Sequence, residues 1–290
     1  MVKSSQPAVP LLRAAMLERY GFEHAFTTRA GGISEGPLAS LNLRMQPEER
    51  PDALAENRAR LRATLGMGSS GYHELRQVHG TRTISLGLDP GFSAAKHGVD
   101  SLGAATQQTT PHVASPMPHS QALEGDALVA HAVARTWIAI ATADCVPVLI
   151  GDRRRRHVAA VHAGWRGVVG GILPAAVRQL LGAAGAGGAG RAVDLCVAIG
   201  PHISVSHFEI GEEVAKALQR CGGPAAAEVR NGQRFGDLGL ALRAQLVTLG
   251  IKPESIEDLR RCTFAEEGVF FSHRRDRGAT GRQLALIRSG

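Results

Sequence analysis

The stretch over residues 136–167, TWIAIATADCVPVLIGDRRRRHVAAVHAGWRG, limits what this chain can fold into more than any other. It holds two apolar runs rich in Val, Ile and Ala. The first is too short to span a membrane and is interrupted by Asp144, so it reads as a buried strand. The second, over 157–161, is also strand-like, and the arginine-rich segment between them reads as a connection. Each run delivers polar residues at one end: Asp144 and Cys145 from the first, His162 and Arg166 from the second. A thiol and an imidazole are thereby expected at neighbouring element ends. That arrangement suits a soft metal ion or a Cys/His nucleophile pair.

The remaining signals organise around this stretch. Residues 1–20 are expected to form a loose tail and a short helix over 11–19, and 21–290 one catalytic domain. A strand over 22–29 ends at Arg29, and the Gly31-Gly32 loop after it can present backbone N–H groups to an anion. A short ordered piece covers 40–43. Helical spacing of Ala53, Leu54, Asn57, Leu61 and Leu65 predicts a helix over 52–65, with Pro51 ahead and Gly66 behind. Residues 81–86 alternate like a strand, and His79 just precedes them. Residues 89–121 carry no period and read as an irregular insertion. Its His97, His112 and His119 are expected to face solvent. Asp126 precedes an apolar run, either as a site carboxylate or as a turn residue. After Arg166 an amphipathic helix is expected over 168–181, with Pro174 kinking it or marking a later start. Gly164 and Gly167 bracket a helix start where N–H groups and Arg166 could receive an anion. Further on come a Gly/Ala-rich loop over 182–190, a strand over 194–199 with Cys196 in its core, helices over 209–220 and 239–249, a strand region over 264–273 and a last strand over 283–287. Strand and helix signals alternate irregularly. The expected class is α+β: a mixed β-sheet with flanking helices in a single compact domain.

Charge and cysteine usage narrow the partners. The net charge of +7 favours anionic ligands. Aromatic residues make up only 4%, which speaks against stacking platforms for single-stranded nucleic acid. The one dense basic run, 153–156, has no nucleic-acid motif around it and reads as a solvated turn. Neither nucleic acid nor a membrane is expected as a partner, and the sequence leaves the oligomeric state open. Cys145, Cys196, Cys221 and Cys262 form no CxxC pair, so a zinc ribbon and a thioredoxin-type motif are both excluded. The N-terminus shows no continuous apolar segment of the secretory kind. A cytoplasmic location with free thiols is expected.

Three motifs in order carry a resemblance. They are Gln77-Val78-His79-Gly80, Thr142-Ala143-Asp144-Cys145-Val146-Pro147 and Val161-His162-Ala163-Gly164-Trp165-Arg166-Gly167. Together they resemble the YfiH-like family, long labelled laccase-domain or polyphenol oxidase proteins and now regarded as purine nucleoside phosphorylases. Supporting pieces are Phe26-Thr27-Thr28-Arg29, Leu41-Asn42-Leu43, Ala198-Ile199-Gly200-Pro201, Phe208-Glu209-Ile210-Gly211, Phe270-Phe271-Ser272-His273 and Thr280-Gly281-Arg282. The resemblance implies a zinc site, or a copper site, on His79, Cys145 and His162 with a fourth position open, the catalytic pattern. It implies phosphorolysis of adenosine, inosine, guanosine and methylthioadenosine, plus deamination of adenosine. Nucleosides and phosphate are the partners it implies.

For deamination, zinc lowers the pKa of a bound water to about 7, and a carboxylate moves the protons. Asp144, beside Cys145, is the candidate for that role or a strand-end structural carboxylate. Phosphorolysis needs a positioned phosphate, with Arg29 and Arg166 as clamps for phosphate or substrate and Asn42 as a further substrate-binding candidate. Phe208 and His273 stand where the family often has Tyr, and Ala130 where Thr is frequent, which bears on substrate preference. Three other readings compete. One is a Cys145/His162 amide hydrolase acting on peptidoglycan precursors. Another is copper-dependent phenol oxidation, for which the close His motifs of a multicopper site are missing. The last is a non-catalytic binding protein drawn to partners by its basic surface.

Overall fold

The computed structural model describes residues 8–87, 123–182 and 190–290. The insertion over 89–121, with its three histidines, lies outside the described residues, as does most of the Gly/Ala-rich loop.

In chain order the elements begin with β1 (Leu11–Leu12), α1 (Ala15–Arg19), β2 (His24–Thr27), α2 (Pro51–Thr64), β3 (Tyr72–His73) and β4 (Thr83–Leu86). The central group is β5 (Ala127–Ala130), β6 (Trp137–Thr142), β7 (Val146–Asp152) and β8 (Val158–Ala163), followed by α3 (Trp165–Gly170) and α4 (Ile172–Leu181). Then come β9 (Leu195–Ile199), α5 (Glu212–Gly222), the hairpin β10 (Ala227–Arg230) and β11 (Gln233–Gly236), α6 (Leu238–Thr248), β12 (Ile256–Asp258) and β13 (Gln283–Arg288).

Where the sequence suggests one mixed sheet, the described residues form two large ones and a small hairpin. One is ordered β1-β2-β13-β6-β3, the other β12-β9-β7-β8-β5-β4. Side chains alternate between faces with a period of two, and here both faces are apolar. Ile138 and Ile140 of β6, Ala285 and Ile287 of β13, Leu149 of β7 and Ala160 of β8 meet in a core between the sheets. Val148 and Ile150 of β7, Val161 of β8 and Val197 of β9 face the other way, onto Ile172, Leu173 and Leu180 of α4 and Leu242 of α6. Trp137, Ala139 and Leu286 cover the outer face of the first sheet together with Leu61 of α2. The layers therefore run helices, sheet, sheet, helix, and burial on both faces explains the near-continuous apolar runs.

Four expectations are corrected by the structure. The first apolar run is two strands in different sheets, because the chain turns at 143–145, where Asp144 takes a left-handed φ of 88°. The helix over 11–19 shrinks to α1. Leu11 and Leu12 pair instead with Thr27 and Phe26, and the Glu257 carboxylate accepts from Ala15 N and Met16 N, where the helix starts. The helix over 168–181 is two helices broken at Gly171, whose φ is 82°. Pro174 falls in the first turn of α4, where its missing N–H costs nothing. The region 264–273 forms no strand: its carbonyls at Phe264 and Phe270, with that of Thr263, accept from the Arg275 guanidinium.

The arginine run does lie in the turn between β7 and β8, and it is more than a solvated surface. Arg155 bonds the Asp152 carboxylate and the carbonyls of Leu180 and Leu181 that end α4. Arg156 bonds the carbonyls of Tyr20 and Gly21. Cys196 is fully buried in the inter-sheet core, as expected.

Candidate metal centre

Strand register assembles the site. β7 and β8 pair antiparallel with Val146 opposite Ala163 and Pro147 opposite His162, which brings Cys145 level with Gly164. β5 pairs with β8 so that Ala127 opposes Val161, which brings Asp126 level with His162. His162 N donates to Asp126 O at 2.8 Å. Its ring Nδ1 lies 2.9 Å from Asp126 Oδ1. A carboxylate on Nδ1 leaves Nε2 of the same ring as the metal-facing nitrogen.

The same carboxylate holds the third candidate, His79. His79 sits in a loop with φ 59°, and its N donates to Asp126 Oδ1 at 2.9 Å while Gly80 N donates to Oδ2 at 2.7 Å. Asp126 is fully buried. Burial pushes its carboxyl up, but the His162 ring and the two backbone N–H groups outweigh that and hold it below its ordinary value.

His79, Cys145 and His162 thus offer two imidazoles and one thiol, with ligand atoms all within 4.8 Å of one another. The two rings meet edge to face at 4.8 Å between centroids. Gly164 makes room for them: a Cβ there would lie 3.1 Å from Cys145 Sγ and 3.2 Å from His79 Cδ2. Burial raises the Cys145 thiol, yet the His162 and His79 rings bring it down to about 6. Burial lowers His162, yet Cys145 and Asp126 lift it to about 9. Each group thus favours the charged form of the other, and a bound cation would take over the part of the imidazolium proton.

The donor set fits a borderline-soft ion. Zinc bonds of about 2.0–2.3 Å would draw the three atoms slightly closer and leave one tetrahedral position open. Among the described residues this is the one group of three or more His, Cys, Asp or Glu side chains placed to hold an ion.

The other sequence candidates lie around the triad in different ways. Asp144 precedes Cys145 and is nearly buried. Its Oδ1 accepts from Thr263 Oγ1 and its Oδ2 from Arg274 N, both at 2.6 Å. Arg166 is exposed on the first turn of α3, its guanidinium 4.5 Å from the Trp165 ring centre. Arg29 points elsewhere: its Nε donates to Ala39 O, Nη1 to Glu267 O, and the group stacks on Phe271. Asn42 is fully buried. Its amide nitrogen donates to Arg44 O and to the Glu49 carboxylate, and its oxygen accepts from Arg282 N and, at longer range, Arg44 N.

Sequence reasoning left the part of Asp126 open and did not single out Gln77, Arg44 or Arg282. Gln77 Oε1 accepts from Ala141 N at the end of β6 and from Arg44 Nη1, each at 2.8 Å. Its place in a matched motif was the available signal.

The family model described as "Multi-copper polyphenol oxidoreductase laccase" matches residues 23–289. A purine nucleoside phosphorylase of Deinococcus radiodurans is 38% identical over 283 residues, covering 97% of this chain and 93% of its own length. Purine nucleoside phosphorylase YfiH of Escherichia coli is 33% identical over 263 residues, 90% of this chain and 91% of its own. Among solved structures, YlmD from Geobacillus stearothermophilus superposes with a TM-score of 0.78 at 30% identity, over 98% of each chain. The chain therefore belongs to the YfiH- and YlmD-like family whose model carries the laccase description.

Proposed function

We propose that the chain is a zinc-dependent purine nucleoside phosphorylase that also deaminates adenosine. The observation that carries this reading is the convergence of His79, Cys145 and His162 on one point, with Asp126 aiming His162, in a chain 38% identical to a purine nucleoside phosphorylase. The nucleosides proposed are adenosine, inosine, guanosine and methylthioadenosine. In phosphorolysis a phosphate oxygen bonds to C1′ of the ribose as the bond to the base nitrogen breaks. The electron pair leaves with the base, which collects a proton. A zinc ion bound by the triad would supply Lewis acidity and lower the pKa of a water.

The chain's own groups orient and exclude. Asp126 fixes the His162 tautomer and holds the His79 loop. Asp144 shapes the turn that presents Cys145; each of its oxygens accepts one hydrogen bond and keeps a lone pair on which it could carry a proton, as the sequence suggests. Arg166, exposed on the first turn of α3 two residues after Gly164, is assigned to substrate. Arg29 and Asn42 act in this reading through the loops they hold. All four cysteines are free thiols, which supports a reducing compartment such as the cytoplasm, and no helix among the described residues is long and apolar enough to cross a membrane.

The test is turnover of adenosine with and without phosphate, alongside elemental analysis of the purified chain. Adenine and ribose 1-phosphate are expected only with phosphate, inosine in either case, and about one zinc per chain by the ligand count. Cys145→Ala should abolish both reactions. Unchanged turnover in that variant removes the mechanism. The closeness of the Cys145 thiol to the His162 ring at the paired ends of β7 and β8 favours the amide hydrolase as second reading. That enzyme would survive chelation and be lost to a thiol alkylator.

A further inference from the structure

Beside the triad lie two guanidinium groups that the metal site does not use. β13 pairs with β6 so that Gln283 opposes Thr142, and Arg282 is thereby level with Ala143, at the head of the turn that carries Asp144 and Cys145. Arg44 reaches the same region from the other side. Its Nη1 donates to Gln77 Oε1 at 2.8 Å and its Nη2 to Leu75 O at 3.2 Å, and Gln77 is two residues before the ligand His79. The two arginines share one anchor, since Asn42 Oδ1 accepts the backbone N–H of both, at 2.9 Å from Arg282 and 3.4 Å from Arg44.

Neither guanidinium has a carboxylate partner among the described residues. Arg282 Nη1 donates to the carbonyls of Thr280 and Gly281, each at 2.9 Å, and Arg44 to an amide and a carbonyl. Both are half-buried. Some half-buried arginines of this protein meet a carboxylate, as Arg155 meets Asp152, Arg261 meets Glu266 and Arg275 meets Asp276, and others, such as Arg156 and Arg243, meet carbonyls only; Arg44 and Arg282 differ from these in being tied to one shared anchor. Two cations held close to each other without a counter-ion are costly unless something anionic joins them. Burial, and then the Arg44 charge, pull the Arg282 guanidinium below its ordinary value, while the charges of Cys145 and Asp144 partly offset this. Arg282 is therefore within electrostatic reach of Cys145, and Arg44 is tied through Gln77 to the segment that carries His79.

We infer that Arg44 and Arg282 form the anion cradle of the active site and take inorganic phosphate, which leaves Arg166 to the nucleoside. Planar guanidinium forks suit the oxygens of a phosphate dianion better than any other side chain. Asn42 is the positioning residue that sets both arginines. The placement of the anion rests on the arginines alone; only its use as the attacking group rests on the phosphorolysis reading.

The test separates the two. Binding of inorganic phosphate to the full chain is measured by calorimetry for the wild type, Arg44→Gln, Arg282→Gln and Arg282→Lys, with Arg19→Gln on α1 as a change of equal charge elsewhere. KM for phosphate and for adenosine are measured on the same proteins. We expect each glutamine variant to weaken phosphate binding roughly 10- to 100-fold, the range of a hydrogen bond to a charged group. KM for phosphate should rise in step and KM for adenosine should change by no more than about twofold. Arg282→Lys should recover part of the loss, and Arg19→Gln should match the wild type. Phosphate affinity within about twofold of the wild type in both glutamine variants, with folding verified by circular dichroism, overturns the cradle even if nucleosides are still cleaved. A wild type that binds no phosphate also overturns it. Weakened phosphate binding in a chain that cleaves no nucleoside upholds the cradle and removes the phosphorolysis reading instead.

Discussion

At Asp126 two backbone N–H groups and an imidazole converge on one buried carboxylate. Changing it to Asn keeps the size but turns one oxygen into an amide that competes with the His162 Nδ1–H. Asp126→Asn is expected to weaken zinc binding by roughly 10- to 100-fold, the usual effect of losing such a partner, read by competition with a chromophoric chelator. Gly164→Ala acts on the other two ligands. Its Cβ would crowd Cys145 Sγ and His79 Cδ2 together, so a lower metal content is expected at nearly unchanged far-UV circular dichroism. That His79, Cys145 and His162 come together was legible in the sequence because each sits in a matched motif. The part played by Asp126 was not, because it depends on a partner 36 residues away that only the β5–β8 register supplies.

Elements were legible where one chain segment decides its own state. The helix α2 lies within a residue of its expected bounds, with Pro51 at its start, and strands β8, β9 and β13 fall where the apolar runs put them. What failed was set by distant groups. Phe270 and Phe271 are fully buried, so their region looks like a strand, but the Arg275 side chain occupies carbonyls that a neighbouring strand would need. The hairpin of β10 and β11 was missed because its residues are largely exposed and polar. A prediction at this scale concerns Gly200, just after β9. A Cβ there would lie 2.2 Å from the Phe26 ring of β2 and 2.9 Å from Pro147. Gly200→Ala forces the two sheets apart locally and should cost about 1–3 kcal/mol, measured as a shift in the urea midpoint at constant slope.

For the whole molecule, acid is an informative stress. His131 and His157 meet edge to face at 4.4 Å, and His157 Nδ1 accepts from Ala132 N, so the ring is held neutral. Burial, then His131 and Arg155, push His157 down to about 4. The unfolded chain protonates this histidine near its ordinary 6.5, so between these values the unfolded state binds more protons. Stability is full above about pH 6.5 and falls as pH drops towards 4. In His157→Gln that loss should be shallower, as followed by melting temperature across the window.

The step at 143–145 carries the backbone from one sheet into the other, and Cys145 hangs on that step. His162 belongs to the second sheet, and His79 to a loop outside both. An ion gripping all three would clasp the seam of the molecule and so resist its opening. At an ion concentration of 100 times Kd such a clasp contributes about 2.7 kcal/mol. A chelator should then depress the melting point of the entire fold in one transition, and Cys145→Ala should make that melting point indifferent to chelator. Catalytic competence and mechanical integrity would in that case be lost together.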